Sequence, residues 1–171
     1  MRARNYRDVK GQAYTRKKFV RGFPPPKITK FTMGDTKSKF GYKARLIAVK
    51  GVQIRHNALE AARIATNRYL GVKLAKNYCL RILPYPHMIL RENKMIFGAH
   101  ADRLQDGMKR SFGKPIGTAA RVKRDQVLLT VDVNADGIEV AKVALKRGSA
   151  KLPTPCRIAI EKVQEEEAKA S

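Results

Sequence analysis

The sequence contains few cysteines and no long apolar run, and each scarcity excludes a class of protein. Cys79 and Cys156 are its only cysteines, and neither has another Cys or a His two to four residues away, as paired zinc ligands do. We therefore expect two reduced, buried thiols, no metal and no cofactor. No apolar run approaches the roughly 20 residues of a membrane-spanning helix. Residues 1–11 also lack the apolar stretch of a signal peptide, so the expected location is the cytosol, with no membrane partner.

The motifs of an enzyme are also missing. The nearest approach to a phosphate-binding loop is Gly107 to Lys114, but five residues separate Gly107 from Gly113, and Pro115 follows the lysine. A P-loop has four residues between its glycines and a Ser or Thr that binds magnesium after the lysine. The histidines are scattered, with no partner that the sequence places beside them to position a general base; they are His56, His87 and His100. We predict a protein that is not an enzyme.

Acidic residues are scarce. The chain has 14 Asp and Glu against 37 Lys and Arg, a formal net charge of +23 at pH 7. Repulsion of this size destabilises a compact state, so we expect an anionic partner. Nucleic acid is the first candidate; a charged membrane surface is the second, and it is not the partner that we expect. With 171 residues, of which 43% are hydrophobic, the chain should form a single domain with a substantial core and no homo-oligomer.

Residues 1–40 form the most basic part of the chain and are expected to be an extended arm. Aromatic residues are interleaved among the bases, and Pro24, Pro25 and Pro26 favour a polyproline-like conformation. Two interpretations stay open: a solvated arm, or an arm that becomes ordered along RNA, with arginines on phosphates and tyrosines on bases or sugars. The interleaving favours RNA. The residues expected to bind it are Arg2, Arg4, Tyr6, Arg7, Lys10, Tyr14, Arg16, Lys17, Lys18, Arg21, Lys27 and Lys30.

Residues 41–161 show the patterns of an α+β core. Alternating or short apolar runs predict strands over residues 42–50, 52–56, 78–83, 87–91, 118–124, 126–133 and 156–161. The strands at 118–124 and 126–133 are expected to form a hairpin, and Ile158 and Ile160 are expected to point inward. The predicted architecture is a sandwich with two main helices on one side of a mostly antiparallel sheet. The tail, residues 162–171, is polar and expected to be disordered.

Two helices are expected, from Asn57 to Gly71 and from Asp136 to Gly148. Each begins with the spacing of a capping box, in which a carboxylate three residues after the N-cap returns to it. The face of the first helix expected to pack closely on the sheet consists of Ala58, Ala62, Ala65 and Tyr69. The residues expected to face solvent or RNA are Arg63, Asn67 and Arg68; Arg63 and Arg91 complete the predicted RNA-binding set.

The stretch 98–117 lies between two predicted strands and is expected to be the functional end of the molecule. Its four glycines allow positive φ angles and close approach to another backbone. Compact domains seldom keep so long a loop without a functional reason. A cationic loop on a rigid scaffold suits contact with phosphate, and its basic residues are His100, Arg103, Lys109, Arg110 and Lys114.

Several segments resemble a known family: ALEAARIATNRYL (58–70), RILPYPHMILRENKM (81–95) and ADRLQDGMKRSFGKPIGTAARV (101–122), with RARNYR (2–7) and FVRGFPPPKI (19–28). They are similar to the large-subunit ribosomal protein family called L-ten-e in archaea and eukaryotes, the counterpart of bacterial L-sixteen. The resemblance extends from residue 2 to about residue 161. The carboxyl end differs from that of eukaryotic relatives, which favours an archaeal type.

The resemblance implies an α/β-hammerhead fold on large-subunit ribosomal RNA, near the peptidyl-transferase centre and beside other large-subunit proteins. It implies that the loop matching residues 101–117 reaches tRNA at the aminoacyl site, with contact at the peptidyl site left open, and acts in late subunit maturation. We expect this loop to be poorly ordered without tRNA. Two alternatives remain: a DNA-compacting protein, which would bind duplex DNA, and an RNA-modifying enzyme, which would need a pocket of convergent titratable groups.

Overall fold

The computed structural model describes residues 7, 9, 19–94, 107 and 111–163. The described elements are β1 (Thr32–Gly34), β2 (Tyr42–Ala48), β3 (Val52–Arg55), α1 (His56–Leu74), β4 (Cys79–Ile82), β5 (Met88–Glu92), β6 (Lys114–Val122), β7 (Val127–Val133), a 3-10 turn (Ala135–Gly137), α2 (Ile138–Ser149) and β8 (Cys156–Lys162). All seven predicted strands and both predicted helices are present, which confirms the α+β class. The short strand β1 was not predicted.

The strands form two antiparallel sheets rather than the single sheet that was predicted. Five strands pair in the order β1-β4-β7-β2-β8, and three pair in the order β3-β6-β5. On β2, the alternation of apolar with polar residues buries Ala44 and Leu46, whose cross-strand partners on β7 are the buried Val131 and Leu129. The helices pack over this face of the large sheet, so the main core lies between the helix layer and the sheet.

The predicted hairpin is wrong. β6 pairs with β3 and β5 in the small sheet, whereas β7 pairs with β4 and β2 in the large one. A tight turn does join them: the Lys123 N–H donates to Gln126 Oε1 at 2.8 Å, and Asp125 adopts a φ of 60°. The Asp125 N–H donates to the carbonyl of Ala48 at 2.9 Å, which fastens the turn to the end of β2. The local pattern identified the turn but not the partners of its two strands.

The helix boundaries also differ from the prediction. α1 begins at His56 without a side-chain cap and continues through Gly71 to Leu74, before Ala75 at a φ of 52°. Neither helix has a capping box, since Glu60 pairs with Arg63 instead of returning to the N-cap, and α2 begins at Ile138 after the 3-10 turn. Both glycines expected to end a helix therefore lie inside one.

The buried face of α1 is not the predicted small-residue face. Ala62 is buried as expected, but Ala58, Ala65 and Tyr69 are only half-buried. The residues that the helix buries are His56, Leu59, Ala62, Thr66 and Leu70. This stripe turns towards α2 as well as towards the sheets, because the two helices pack along each other.

The boundaries of the arm, the loop and the last strand need correction. Ile28 is only 1% exposed and β1 pairs with β4, so the fold begins well before residue 41. β6 begins at Lys114, which places residues 114–117 in a strand rather than in the loop. Ile158 and Ile160 lie on the core side of the large sheet, as predicted, because they pair with the buried Leu46 and Ala44 of β2. Each is nevertheless 36% exposed, because β8 is the edge strand of the sheet. β8 reaches Lys162, one residue into the predicted tail.

Both cysteines are free thiols. Cys79 is buried, whereas Cys156 is half-buried and donates from Sγ to the carbonyl of Thr154 at 3.3 Å. Burial raises the pKa of the Cys156 thiol, which keeps it protonated at neutral pH. Neither helix of the described segments combines the length and the apolar character needed to cross a lipid bilayer.

Candidate nucleic-acid interface

Two adjoining clefts run along the helix layer, and together we call them the helix groove. The first has a volume of about 320 Å³ and lies where β3 enters α1; the second has a volume of about 660 Å³ and lies further along α1. Ala150 and Lys151, which follow α2, line both clefts. Among the described residues, every charged residue of the groove lining is cationic, and these residues are Arg7, Arg55, Arg68, Arg147 and Lys151. A continuous cationic concavity suits a polyanion with closely spaced phosphates.

The first cleft is built around the start of α1. Arg55 occupies the N-cap position, with the extended φ and ψ of −69° and 150° that turn the chain from the strand into the helix. Arg7 lies beside it, because the carbonyl of Arg7 accepts a hydrogen bond from the Gln53 N–H of β3 at 2.8 Å. A residue of the basic arm is therefore held against the folded core. The positive end of the α1 dipole adds to the attraction that this cleft exerts on an anion.

The second cleft contains a stacked pair of side chains. The guanidinium carbon of Arg147, in the last turn of α2, lies 4.1 Å from the centroid of the Tyr69 ring on α1. Tyr69 is half-buried and packs against the core, whereas Arg147 is exposed. The ring therefore holds the guanidinium at the surface, where it can contact a further planar group.

The ends of the predicted loop are held together where β5 meets β6. The guanidinium carbon of Arg91 lies 3.2 Å from the centroid of the Phe112 ring, and Arg91 Nη1 donates to the carbonyl of Phe112. Gly113 has a φ of 76°, and a side chain there would collide with the backbone of Glu92 and Asn93. Burial lowers the pKa of Arg91. Arg91 is thus a structural clamp at the base of the loop.

A buried histidine ties the arm to the core. His56 is 7% exposed, and its Nδ1 accepts a hydrogen bond from the Lys27 N–H at 2.9 Å. Its Nε2 faces Gly117 of β6, where even one added carbon would lie only 3.1 Å away. Burial, with the nearby charges of Arg55 and Lys27, lowers the pKa of His56 and keeps the ring neutral at pH 7. This interaction uses the backbone of Lys27, so its ammonium group remains on the exposed surface.

Comparison with known proteins decides the family. The sequence matches the family described as Ribosomal protein L16p/L10e over residues 9–159. The chain belongs to this family. It is 51% identical over 157 residues to the large ribosomal subunit protein uL16 of Staphylothermus marinus, covering 91% of this chain and 90% of the relative. It is 50% identical over 168 residues to uL16 of Sulfolobus acidocaldarius, covering 96% of each chain, and 47% identical over 164 residues to uL16 of Methanococcus maripaludis strain S2, covering 95% of each.

Membership in the L16p/L10e family confirms several predictions. The resemblance inferred from the sequence is correct, and the relatives are of the archaeal type. A member of a family of ribosomal proteins is a structural protein rather than an enzyme, and it works in the cytoplasmic ribosome.

The structure separates the predicted RNA-binding residues of this ribosomal protein. Arg7 lines the helix groove, whereas Arg21, Lys27 and Lys30 are exposed elsewhere on the arm. Lys114 is the first residue of β6, opposite Glu92 of β5. The remaining predicted residues lie outside the described part of the chain: Arg2, Arg4, Tyr6, Lys10, Tyr14, Arg16, Lys17, Lys18, His100, Arg103, Lys109 and Arg110.

The guanidinium of Arg63 is bound by other side chains of the protein. Its Nε donates to Glu60 Oε2 at 2.8 Å, its Nη2 lies 2.5 Å from Glu60 Oε1, and its Nη1 contacts the sulfur of Met33 at 3.0 Å. The hydrogen bonds lower the pKa of Glu60 and raise that of Arg63. Arg68, one and a half turns later, lines the groove instead. The sequence contained a signal for this difference between the two arginines. Arg63 has a carboxylate three residues before it, with which it can pair on a helix, whereas Arg68 has none three or four residues before it.

Proposed function

We propose that this protein is a structural constituent of the large ribosomal subunit that binds large-subunit rRNA near the peptidyl-transferase centre. Its relatives named as large ribosomal subunit proteins match at about half of all positions across nearly their whole length. The observation that carries the RNA-binding part is the helix groove, in which all the charged lining residues that the structure describes are cationic. The partners are rRNA and neighbouring large-subunit proteins, and the fold is of the α/β-hammerhead type.

The mechanism is electrostatic and non-catalytic. The arm and the helix groove bring lysines and arginines to phosphates where RNA helices converge, and neutralising those phosphates lowers the repulsion between the helices. Arg7 connects the two surfaces, because its backbone is hydrogen-bonded to β3 and the residue lines the groove. In the arm, Tyr6 and Tyr14 stack on splayed bases.

The basic loop was predicted over residues 101–117, and the structure places the last four of these in β6. In this proposal the loop has a separate role: it contributes to positioning aminoacyl-tRNA. The Arg91–Phe112 contact and the turn at Gly113 support this role, because they give the loop a fixed base from which to extend. Deleting the loop should leave incorporation into subunits intact while impairing tRNA placement. Loss of assembly on deletion would instead make the loop an rRNA anchor.

The salt dependence of binding tests the rRNA part. If about eight phosphates are contacted, affinity for large-subunit rRNA falls with salt at a log–log slope near −7. Salt-independent binding would contradict the mechanism, and duplex DNA that competed equally well would favour a DNA-compacting protein instead. Co-sedimentation with purified large subunits at high salt tests the assignment to the ribosome. Recovery of the protein only in the free fraction would overturn it.

A further inference from the structure

We infer that the second cleft of the helix groove holds one unstacked RNA nucleotide, with its base on the Arg147 guanidinium and its phosphate between Arg68 and Lys151. This inference rests on the proposed RNA-binding function and adds to it a specific subsite and the class of its ligand. The cleft volume of about 660 Å³ lies within the range of pockets that enclose small organic molecules.

The stacking platform already exists in the free protein. Tyr69 is fixed by its packing against the core, and the guanidinium carbon of Arg147 lies over the ring, 4.1 Å from its centroid. Because Arg147 is exposed, the side of its guanidinium that is turned away from the ring is open to a ligand. Splayed RNA bases commonly stack on arginine planes, and here the guanidinium is preorganised, so less rotamer freedom is lost on binding.

The other residues that line the second cleft suit the base and the phosphate of a nucleotide. Val72 is 76% exposed, and with the small Ala65 and Ala150 it gives the cleft an apolar side that a base can cover. Arg68 and Lys151 are exposed cations at the same cleft and suit the phosphate. An acidic protein segment could also meet these cations, but the stacked Arg147–Tyr69 pair favours a planar ring, which a base provides.

Three variants of the full-length chain, each binding large-subunit rRNA transcribed in vitro, test the inference. Arg147→Lys keeps the charge but removes the plane, so affinity should fall about fivefold or more while the salt slope stays unchanged. Tyr69→Phe should bind as the wild type does, because the ring remains. Lys146→Ala removes an exposed charge next to the cleft, and its affinity loss should be smaller and come with a shallower salt slope.

Photocrosslinking identifies the ligand directly. With 4-thiouridine-substituted large-subunit rRNA, we expect crosslinked nucleotides on the peptides that contain Tyr69 or Arg147. If Arg147→Lys bound rRNA as tightly as the wild type and the crosslinks fell only on other peptides, the subsite would be overturned. The proposed function would still stand in that case, provided that rRNA binding by the wild type kept its steep dependence on salt. Normal rRNA binding of Arg147→Lys combined with weakened incorporation into subunits would assign the cleft to an acidic protein segment, which also overturns it. If the wild type showed no salt-dependent rRNA binding, the proposed function itself would fail.

Discussion

Thr66 of α1 lies directly against Gly148 of α2, and this contact sets how closely the two helices approach. Thr66 is fully buried, and a side chain at position 148 would overlap its hydroxyl oxygen. Tyr69 lies one turn beyond Thr66, and Arg147 immediately precedes Gly148. The close packing therefore also brings the two stacked side chains of the groove together.

Replacing this glycine should destabilise the protein. Gly148→Ala forces the helices apart or displaces Thr66, and we expect the free energy of unfolding to fall by about 1–3 kcal/mol, as for other overpacked cores. Gly71→Ala is the matched control, since Gly71 lies inside α1 and an added carbon there would meet only the Tyr78 hydroxyl, at 3.8 Å. That variant should gain about 0.4–1 kcal/mol. Urea unfolding measures both, and changes of the same sign would contradict the packing argument.

Gly148 also shows why the ends of the helices could not be predicted from the sequence. A glycine near the end of a helical pattern usually ends the helix, and Gly71 and Gly148 were both interpreted in that way. In the structure Gly148 lies inside α2, where the absence of a side chain leaves room for Thr66 of α1. α1 itself continues past Gly71 to Leu74. The sequence shows that a small residue occurs at a given position of a helix, but it does not show which residues of another element pack against it.

Strand patterns were predictable, but strand partners were not. The alternation on β6 and β7 is local, and the tight turn between them suggested a hairpin; each strand instead lies between two others, in different sheets. Ile158 and Ile160 show a related limit of sequence patterns. Alternation along β8 shows that the two residues share a face of the sheet, but it does not show whether a helix covers that face. In the site, the charge of the helix was recognisable, yet the separate roles of Arg63 and Arg68 required their positions in the fold.

Those two arginines should respond differently to substitution. Arg63→Ala leaves Glu60 half-buried without its partner, so the free energy of unfolding should fall by about 1 kcal/mol, with little change in rRNA affinity. Arg68→Ala should leave stability within about 0.5 kcal/mol but weaken rRNA binding and reduce the salt slope by about 1. Unfolding and filter-binding experiments on both variants give the comparison. If Arg63→Ala weakened binding as much as Arg68→Ala without losing stability, the division of roles would be incorrect.

The stability of the protein should depend on pH through His56. Its pKa is lowered in the folded state by burial and by the charges of Arg55 and Lys27, so the unfolded chain binds a proton more readily. The stabilisation is fully present above the unfolded pKa of about 6.5 and is lost as the pH falls through the lower folded pKa. His56→Asn, which keeps an acceptor for the Lys27 N–H, should flatten this dependence in urea unfolding between pH 7.5 and pH 5. The exposed His87 provides the control, and equal flattening by His87→Asn would contradict the assignment.

The base of the loop gives the last prediction. Gly107 and Gly113 both adopt positive φ, so an alanine at either position has a comparable backbone cost. Only at Gly113 would the new side chain also collide with backbone, that of Glu92 and Asn93, whereas the space around Gly107 is open. Gly113→Ala should therefore change the direction in which the loop leaves β5 and β6, while Gly107→Ala should not.

If the loop positions aminoacyl-tRNA, this change in direction should reduce tRNA binding without preventing assembly. We expect Gly113→Ala subunits to form normally on sucrose gradients but to bind aminoacyl-tRNA more weakly than Gly107→Ala subunits do. Equal tRNA binding by the two variants would show that the geometry at the base of the loop does not matter for tRNA. A failure of Gly113→Ala alone to enter subunits would show that this region anchors the protein to rRNA, because the clash would then act on assembly rather than on the placement of the substrate.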